Sequence, residues 1–103
     1  MHIKIPIKYT DKIKYISKSG DKDEMGYTIE VEEDRLVRYV GGKEVQVPSN
    51  NGFGTEHRLI YFCPFEVKDG DKFVIDGNKM EVKQSTRVVD IFCKTVHWEV
   101  ELK

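Results

Sequence analysis

Polar and apolar residues alternate along most of this chain, whereas no stretch keeps the apolar spacing of an amphipathic helix. Alternation of this kind predicts β-strands, because successive side chains of a strand point to opposite faces of a sheet. The predicted fold class is all-β: a small antiparallel β-barrel, or alternatively a β-sandwich, of about seven or eight strands. The segments with this pattern are HIKIPIK, DKIKYISK, YTIEVEEDRLVRYV, GGKEVQV, HRLIYFCP, KFVI, KMEVK, TRVVDIFCK and TVHWEVELK.

Glycine-containing turns separate several of these segments. Gly41-Gly42 predicts a tight turn, Asp69-Gly70 a second turn, and DGN at residues 76–78 a hairpin connection after KFVI. In the strand that begins at Tyr27, the alternation changes phase near residues 34–36. That change predicts a β-bulge at this point.

The stretch between Val47 and His57 is rich in glycine and asparagine and predicts one long mobile loop. It contains no lysine or arginine, and Gly52 and Gly54 give the backbone freedom around Phe53. An ordinary mobile connection between strands is the alternative to a functional loop. The residues of the predicted loop are Pro48, Ser49, Asn50, Asn51, Gly52, Phe53, Gly54, Thr55 and Glu56.

Composition limits the domain organisation and the class of partner. A chain of 103 residues with 39% hydrophobic residues favours one domain, residues 1–103, in which residues 1–10 are a candidate N-terminal arm. The 17 Lys and Arg against 18 Asp and Glu give no basic excess, which argues against a general nucleic-acid binder. Without a signal peptide or a membrane span in the sequence, we expect a soluble protein made in a cytoplasm.

Catalytic and metal-binding patterns are weak. Cys63 and Cys93 lie in apolar segments and are expected to be packed, reduced thiols. With His57 and His97 they make a zinc site geometrically conceivable, but the spacing differs from common zinc frameworks, so no metal or cofactor is predicted. The acidic run at residues 21–34 is interpreted as the solvated face of a strand. No nucleophile elbow or phosphate-binding glycine loop occurs, and the protein is predicted not to be an enzyme.

Five motifs in order carry a family resemblance: KIPIKYTDKIKY, RLVRYVGGKEV, RLIYF, VKDGDKFVIDGNKMEVK and VHWEVEL. This succession resembles the minor capsid proteins encoded in the structural gene clusters of tailed bacteriophages and prophages of Gram-positive bacteria. Within that group it looks like the head-closure, or stopper, proteins of the siphophage neck. The similarity is strongest over residues 65–102.

The resemblance implies a structural role in the virion. Such a protein is a small β-barrel that assembles as a ring, commonly a dodecamer, between the portal with its adaptor and the tail-joining proteins. The ring retains packaged DNA, which it contacts only transiently, and a long loop projects into the channel as a gate. By position, residues 48–56 take that role. The resemblance further implies assembly in the host bacterial cytoplasm, a location in the virion neck and no membrane contact.

Ring assembly suggests where neighbouring subunits meet. The alternating N-terminus can pair with the sheet edge of a neighbour, and the lysine-rich residues 1–18 can face a neighbour's acidic residues 21–34. We expect a monomer or weak oligomer in isolation. The candidate interface residues are Ile3, Ile5, Ile7, Glu30 and Glu32.

The alternative function is a small SH3-like β-barrel binding module of a cellular protein, with nucleic acid as its ligand. Aromatic side chains are abundant enough to stack on bases, although core packing is their more common use. Salt-sensitive binding to oligonucleotides would favour this alternative over the virion protein.

Overall fold

The computed structural model describes residues 8–50 and 52–103. The predicted strand HIKIPIK, with Ile3, Ile5 and Ile7, lies outside the described residues, as does Asn51. The described part of the chain contains strands and no helix, which confirms the all-β class. Its strands are β1 (Asp11–Lys22), β2 (Thr28–Ser49), β3 (Gly52–Cys63), β4 (Lys72–Ile75), β5 (Asn78–Val89) and β6 (Thr95–Leu102).

The strands form a closed antiparallel barrel in the order β1-β2-β3-β6-β5-β4, and β4 pairs with β1 to complete the ring. The β1–β2, β2–β3, β4–β5 and β5–β6 pairs are hairpins between consecutive strands. Pairing of β3 with β6 and of β1 with β4 closes the ring. Because each strand has a neighbour on both sides within the ring, the barrel itself leaves no open sheet edge.

The strand β2 continues through the predicted Gly41-Gly42 turn and is 22 residues long. The predicted turn is wrong: the pairing register shifts between Tyr39 and Gly41, so this site is a bulge in one continuous strand. The bulge predicted near residues 34–36 is also wrong, since pairing with β1 is regular there. Leu36 explains the incorrect prediction. Its side chain is apolar although it lies on the outer face of β2, 52% exposed, so the alternation of polar and apolar residues changes there without a bulge.

Two predicted pairs of segments are therefore single strands. YTIEVEEDRLVRYV and GGKEVQV form β2, and KMEVK and the first part of TRVVDIFCK form β5. This merging reduces the nine predicted segments to seven. One of these, HIKIPIK, lies outside the described residues, and the other six correspond to β1–β6.

The core fills the barrel with side chains from every strand. Phe73 packs edge-on against Tyr15 and Tyr61, with ring centroids 5.7 and 6.2 Å apart. As predicted, Val82 is buried and Met80 packs against the core from the same face of β5. The buried members of the core are Ile13, Tyr15, Val37, Tyr61, Cys63, Val67, Phe73, Val82, Val100 and Leu102.

Two local features hold β4 in place. Asp76 and Gly77 have φ angles of 51° and 80°, which matches the type I′ turn expected of an Asp-Gly hairpin and confirms the DGN connection. The buried Asp71 carboxylate accepts hydrogen bonds from the Tyr15 hydroxyl and, at 3.0 Å, from the Lys68 amide. The Lys68 bond holds the turn before β4, and the Tyr15 bond connects that turn to β1.

Hairpin turns extend from both ends of the barrel. The strands β2 and β6 both run antiparallel to β3, so the turns that precede them lie at the same end of the barrel. The β2–β3 turn lies at the other end of the barrel. The longest dimension of the molecule is 57 Å and its radius of gyration is 16.0 Å. A compact domain of this length has a radius of gyration of about 13 Å, so the hairpins make the fold unusually extended.

Candidate functional site

The β2–β3 hairpin projects beyond the barrel as a two-stranded ribbon. Its pairing runs from Gly42↔Leu59 to Ser49↔Gly52. The neighbouring pairings stop earlier, β1 with β2 at Asp11↔Val37 and β3 with β6 at Leu59↔Leu102. Past those points, no strand within the described ranges pairs with either edge of the ribbon, which we define as residues 42–59.

The predicted mobile loop at residues 48–56 is the tip of this ribbon. The expectation of a long loop is wrong, because Pro48 pairs with Phe53 and the ladder closes at Ser49↔Gly52. Glycine and asparagine, which indicated a loop, are concentrated at a tight connection that includes Asn50. Proline is tolerated in this position because no strand of residues 8–50 or 52–103 pairs with the other side of β2 here, so its missing N–H breaks no bond of the described ladders.

Chemically, the tip carries one large apolar side chain, Phe53, and no cation, as the sequence indicated. Phe53 is 75% exposed and is therefore available to another molecule. Among residues 48–56 there is no lysine or arginine, and the carboxylate of Glu56 points back toward the barrel, where it contacts Lys103.

Two glycines lie where the ribbon leaves the barrel, and we expect a flexible point there. The bulge places Gly41 and Gly42 there, and neither residue has a positive φ. A Cβ added to Gly41 would meet nothing within 4 Å, and one added to Gly42 would meet the Arg58 carbonyl oxygen at an ordinary 3.8 Å. Neither sterics nor backbone conformation requires glycine, so backbone freedom is the property that these residues add.

Charged side chains connect the base of the ribbon to β6. Arg58 lies 2.9 Å from Glu56 and 3.3 Å from Glu101, and Lys43 lies 3.6 Å from Glu101. Lys103, just after β6, lies 2.6 Å from Glu56. The side chains of Glu56, Arg58 and Glu101 are only 10%, 14% and 8% exposed. We call these residues the clasp: Lys43, Glu56, Arg58, Glu101 and Lys103.

The clasp keeps the Glu56 carboxylate ionised. Hydrogen bonds from Lys103 and then Arg58 lower the pKa of Glu56 below its ordinary value. The cations at the base of the ribbon are consequently paired with carboxylates.

Comparison with known proteins assigns no family to this geometry. No protein-family model matches the chain, and no curated protein matches it significantly. The described part of the chain has no helix with the length and apolarity of a membrane span.

The candidate interface residues on β2, Glu30 and Glu32, are exposed, and Glu30 lies beside lysines of the same chain. Glu30 is opposite Lys18 in the β1–β2 ladder and 3.9 Å from Lys72. Glu32 is opposite Ile16. The predicted solvated acidic face is confirmed, since residues 21–34 are exposed throughout. Lys18 of β1 and Lys72 of β4 thus place complementary charge beside Glu30 within one subunit.

Sequence reasoning did not identify the exposed apolar side chains of two turns at the barrel end opposite the ribbon. Met25 and Tyr27 lie in the β1–β2 connection, and Ile91 and Phe92 lie in the β5–β6 turn, where Ile91 is 91% exposed. DIFCK was predicted as strand because its residues suit a strand. The available signal was Asp90, since aspartate often starts a turn by accepting backbone hydrogen bonds.

These two turns share one conformation. Asp23 accepts the amides of Met25 and Tyr27 at 2.9 Å each. Asp90 accepts the amides of Phe92 and Lys94 at 2.8 and 3.0 Å. In each turn the fourth residue has a positive φ, 83° at Gly26 and 60° at Cys93. Cys93 therefore occupies a position that usually takes glycine.

The two cysteines are in different environments and both are free thiols. Cys63 is buried as expected, and burial raises its pKa to about 12. The expectation of a packed side chain is wrong for Cys93, which is exposed because it lies in a turn. His57 pairs with Glu44 at 3.5 Å, while His97 stacks on Phe62 at 4.2 Å. In the described ranges, no three His, Cys, Asp or Glu side chains are grouped as a metal site.

Proposed function

We propose that this protein is a structural subunit of the phage head–tail connector, a head-closure stopper that assembles as a ring and retains packaged DNA. The observation that carries the proposal is the two-stranded ribbon, with a cation-free tip, that projects from a closed barrel. In the ring, the barrels form the wall and the ribbons extend into the channel. The partners are the portal with its adaptor on one side and tail-joining proteins on the other.

The ribbon has the reach and the stiffness that a gate needs. Residues 42–49 in extended conformation span about 25 Å. A hydrogen-bonded ladder resists bending along its length more than an open loop does, so motion concentrates at Gly41 and Gly42. Such a ribbon moves as one arm.

The charges of the ribbon favour a role in obstructing the channel over a role in binding DNA tightly. Each lysine or arginine bound to phosphate releases counterions and strengthens the complex. The tip has no such residue, and the two cations at the ribbon base, Lys43 and Arg58, face Glu101 and Glu56. The ribbon therefore blocks the channel without holding DNA that must later pass.

Phe53 supplies the contact between arms. Rotational symmetry places equivalent residues around one axis. Exposed Phe53 side chains that meet there form an apolar plug, which is stabilised by removal of their surfaces from water. DNA passage requires only that the arms swing outward.

The exposed apolar turns at the opposite end support a second contact surface. Large apolar side chains clustered in solvent commonly mark protein–protein interfaces. Met25, Tyr27, Ile91 and Phe92 are distant from the ribbon tip and are well placed for a neighbouring protein of the neck. One end of each subunit thus faces a partner while the other extends the ribbon.

A shortened ribbon tests the gate. Deletion of residues 46–49 and 52–55 removes equal lengths of β2 and β3 and joins the Val45↔Glu56 pair through Asn50 and Asn51. The barrel core and the clasp are retained, so folding and particle assembly should survive while packaged DNA leaks. The measurement is nuclease-protected DNA per particle in a phage that carries the altered gene. Thr55→Ala is the full-length control, and full, infectious particles from the shortened variant would refute the gate.

A further inference from the structure

We propose that the β1–β2 hairpin of one copy packs against the β5–β6 hairpin of the next copy, as a head-to-tail contact around the ring. The inference rests on the proposed function and names a second copy of this chain as the partner of the exposed apolar turns. A contact between two different surfaces of the same subunit closes into a ring when the rotation between neighbours suits it. Such a ring needs two matching surfaces on opposite sides of the subunit.

The two hairpins lie on opposite sides of the barrel. In the closed order of strands, β3 lies between β2 and β6, and β4 lies between β5 and β1. We define the acidic hairpin as residues 16–32, bounded by Ile16, where the pairing of β1 with β4 ends. The basic hairpin is residues 87–98, bounded by Trp98, where the pairing of β6 with β3 begins. Both hairpins extend from the same barrel end, so subunits placed side by side bring one of each together.

The hairpins carry opposite net charges. The acidic hairpin has five carboxylates and two lysines, which give a net charge of −3. The basic hairpin has Arg87 and Lys94 against Asp90, which give a net charge of +1 with His97 neutral. Opposite charges on two surfaces speed their association and make it specific, and like charges disfavour the wrong pairing. Contact between one hairpin of each kind is therefore favoured over contact between two acidic or two basic hairpins.

The charged groups that this contact needs are exposed. Glu24 and Glu32 lie on the acidic hairpin with exposed side chains. On the basic hairpin, the exposed Arg87 donates to the Thr95 hydroxyl at 2.6 Å and to the Cys93 carbonyl oxygen at 3.3 Å, which are both neutral groups. These bonds hold the guanidinium at the surface, where a carboxylate of another copy can approach it.

Apolar side chains at both hairpin tips supply the centre of the contact. Met25 and Tyr27 on the acidic hairpin, like Ile91 and Phe92 on the basic one, are largely exposed. Their removal from water on contact is favourable. Both turns are held by an aspartate side chain that accepts backbone amides, so little conformational freedom is lost when the tips pack together.

The size of this contact agrees with the expected weak association in isolation. A stable interface uses about 20–30 residues from each partner. The acidic hairpin has 17 residues and the basic hairpin has 12, so a single contact is small. In a ring, each subunit makes the contact twice, once with each hairpin, which makes the closed assembly more stable than an isolated pair.

Cross-linking between two differently tagged full-length proteins tests the contact. One has the wild-type sequence, whose exposed Cys93 lies on the basic hairpin. The other carries Glu24→Cys on the acidic hairpin together with Cys93→Ser, so that each protein has one reactive thiol. Cys63 is buried, and its raised pKa keeps it unreactive. When the two are mixed at high concentration with a short bismaleimide, we expect a covalent heterodimer that carries both tags.

The matched control replaces Glu24→Cys by Lys79→Cys, an exposed position in the β4–β5 hairpin at the other end of the barrel. Heterodimer yield with Glu24→Cys should exceed this control several-fold, with circular dichroism confirming that each protein is folded. Equal yields would overturn the proposal. A greater yield of wild-type homodimer linked through Cys93 would also overturn it, because that product would show a two-fold contact between basic hairpins.

Charge reversal separates this contact from nonspecific apolar association. Glu24→Lys with Glu32→Lys makes both hairpins basic, and Arg87→Glu with Lys94→Glu makes both acidic. In sedimentation velocity at high protein concentration and low salt, each double variant alone should associate less than the wild type. A mixture of the two should recover association, because each then offers the other a hairpin of opposite charge.

A mixture that associates no more than either double variant alone would contradict the head-to-tail contact. Neither assay uses virions or DNA, so their failure leaves the gate standing. Full particles from the shortened ribbon would likewise leave the contact between hairpins standing.

Discussion

The Lys103 ammonium lies 2.6 Å from the Glu56 carboxylate and connects the ribbon to the end of β6. This contact crosses from the projecting hairpin to the barrel wall, as does the Arg58–Glu101 pair. The position of the ribbon therefore depends on the charge of a few side chains, and protonation of Glu56 should loosen it.

A first prediction concerns pH. Because Lys103 and Arg58 lower the pKa of Glu56 in the folded state, its contribution to stability is present above the unfolded pKa and is lost as pH falls through the folded value. At neutral pH, Glu56→Gln should therefore speed hydrogen exchange of ribbon amides and lower the free energy of unfolding. In acid, below the folded pKa, the variant and the wild type should converge.

The matched control is Glu66→Gln, a change of an exposed carboxylate away from the ribbon. It should alter ribbon exchange at neither pH. A Glu56→Gln effect that persists undiminished in acid would show that the clasp acts through packing rather than charge.

The second prediction concerns the flexible point. Replacing Gly41 and Gly42 by alanine meets no steric obstacle and reduces the freedom of the unfolded chain. Each change should leave stability unchanged or raise it by about 0.4–1 kcal/mol in urea unfolding. Both together should slow ribbon exchange and, in a phage, slow DNA ejection without causing leakage.

Gly77→Ala is the contrasting control, because its φ of 80° is strained for alanine. It should lose about 1–2 kcal/mol. Comparable losses at Gly41 or Gly42 would mean that these glycines are structural and that the arm has no flexible base.

Features of this fold that depend on residues close together in the sequence could be predicted. Features that depend on pairing between distant residues could not. Asp76-Gly77 specifies its hairpin through two residues, and period-two alternation was enough for the all-β class, although it left a barrel and a sandwich both open. The ribbon depends instead on partners far apart in sequence, such as Gly42 and Leu59. Glycines and asparagines at residues 48–56 suit either a mobile loop or a tight hairpin tip. The clasp could not be predicted from the sequence either, because Glu56 and Glu101 become neighbours only when β3 pairs with β6.

The third prediction concerns Cys93, whose φ of 60° is costly for a residue with a side chain. A left-handed conformation costs such a residue about 1–2 kcal/mol. Glycine removes that cost but loses about 0.5–1 kcal/mol through greater freedom of the unfolded chain. Cys93→Gly should therefore stabilise the protein by about 0.5–1 kcal/mol, measured by urea unfolding.

Cys93→Ala distinguishes the effect of backbone strain on stability from the effect of the thiol. Alanine keeps the strain, so its stability should stay within about 0.5 kcal/mol of the wild type, as for other surface changes. If alanine stabilised the protein as much as glycine, the gain would come from loss of the thiol, and the correspondence with the Gly26 turn would not explain it.

The last prediction concerns Phe53 and the charge of the gate. Phe53→Ala removes a side chain that is 75% exposed, so stability should change by no more than about 0.5 kcal/mol. Particles with this variant should nevertheless lose DNA, because the apolar contact between arms is gone. Phe53→Lys removes the same contact and adds one cation per subunit at the tip. By counterion release it should create salt-sensitive binding to oligonucleotides, which the wild type should lack. Filter binding at two salt concentrations measures this, and salt-sensitive binding by the wild type would favour a nucleic-acid-binding module over a stopper.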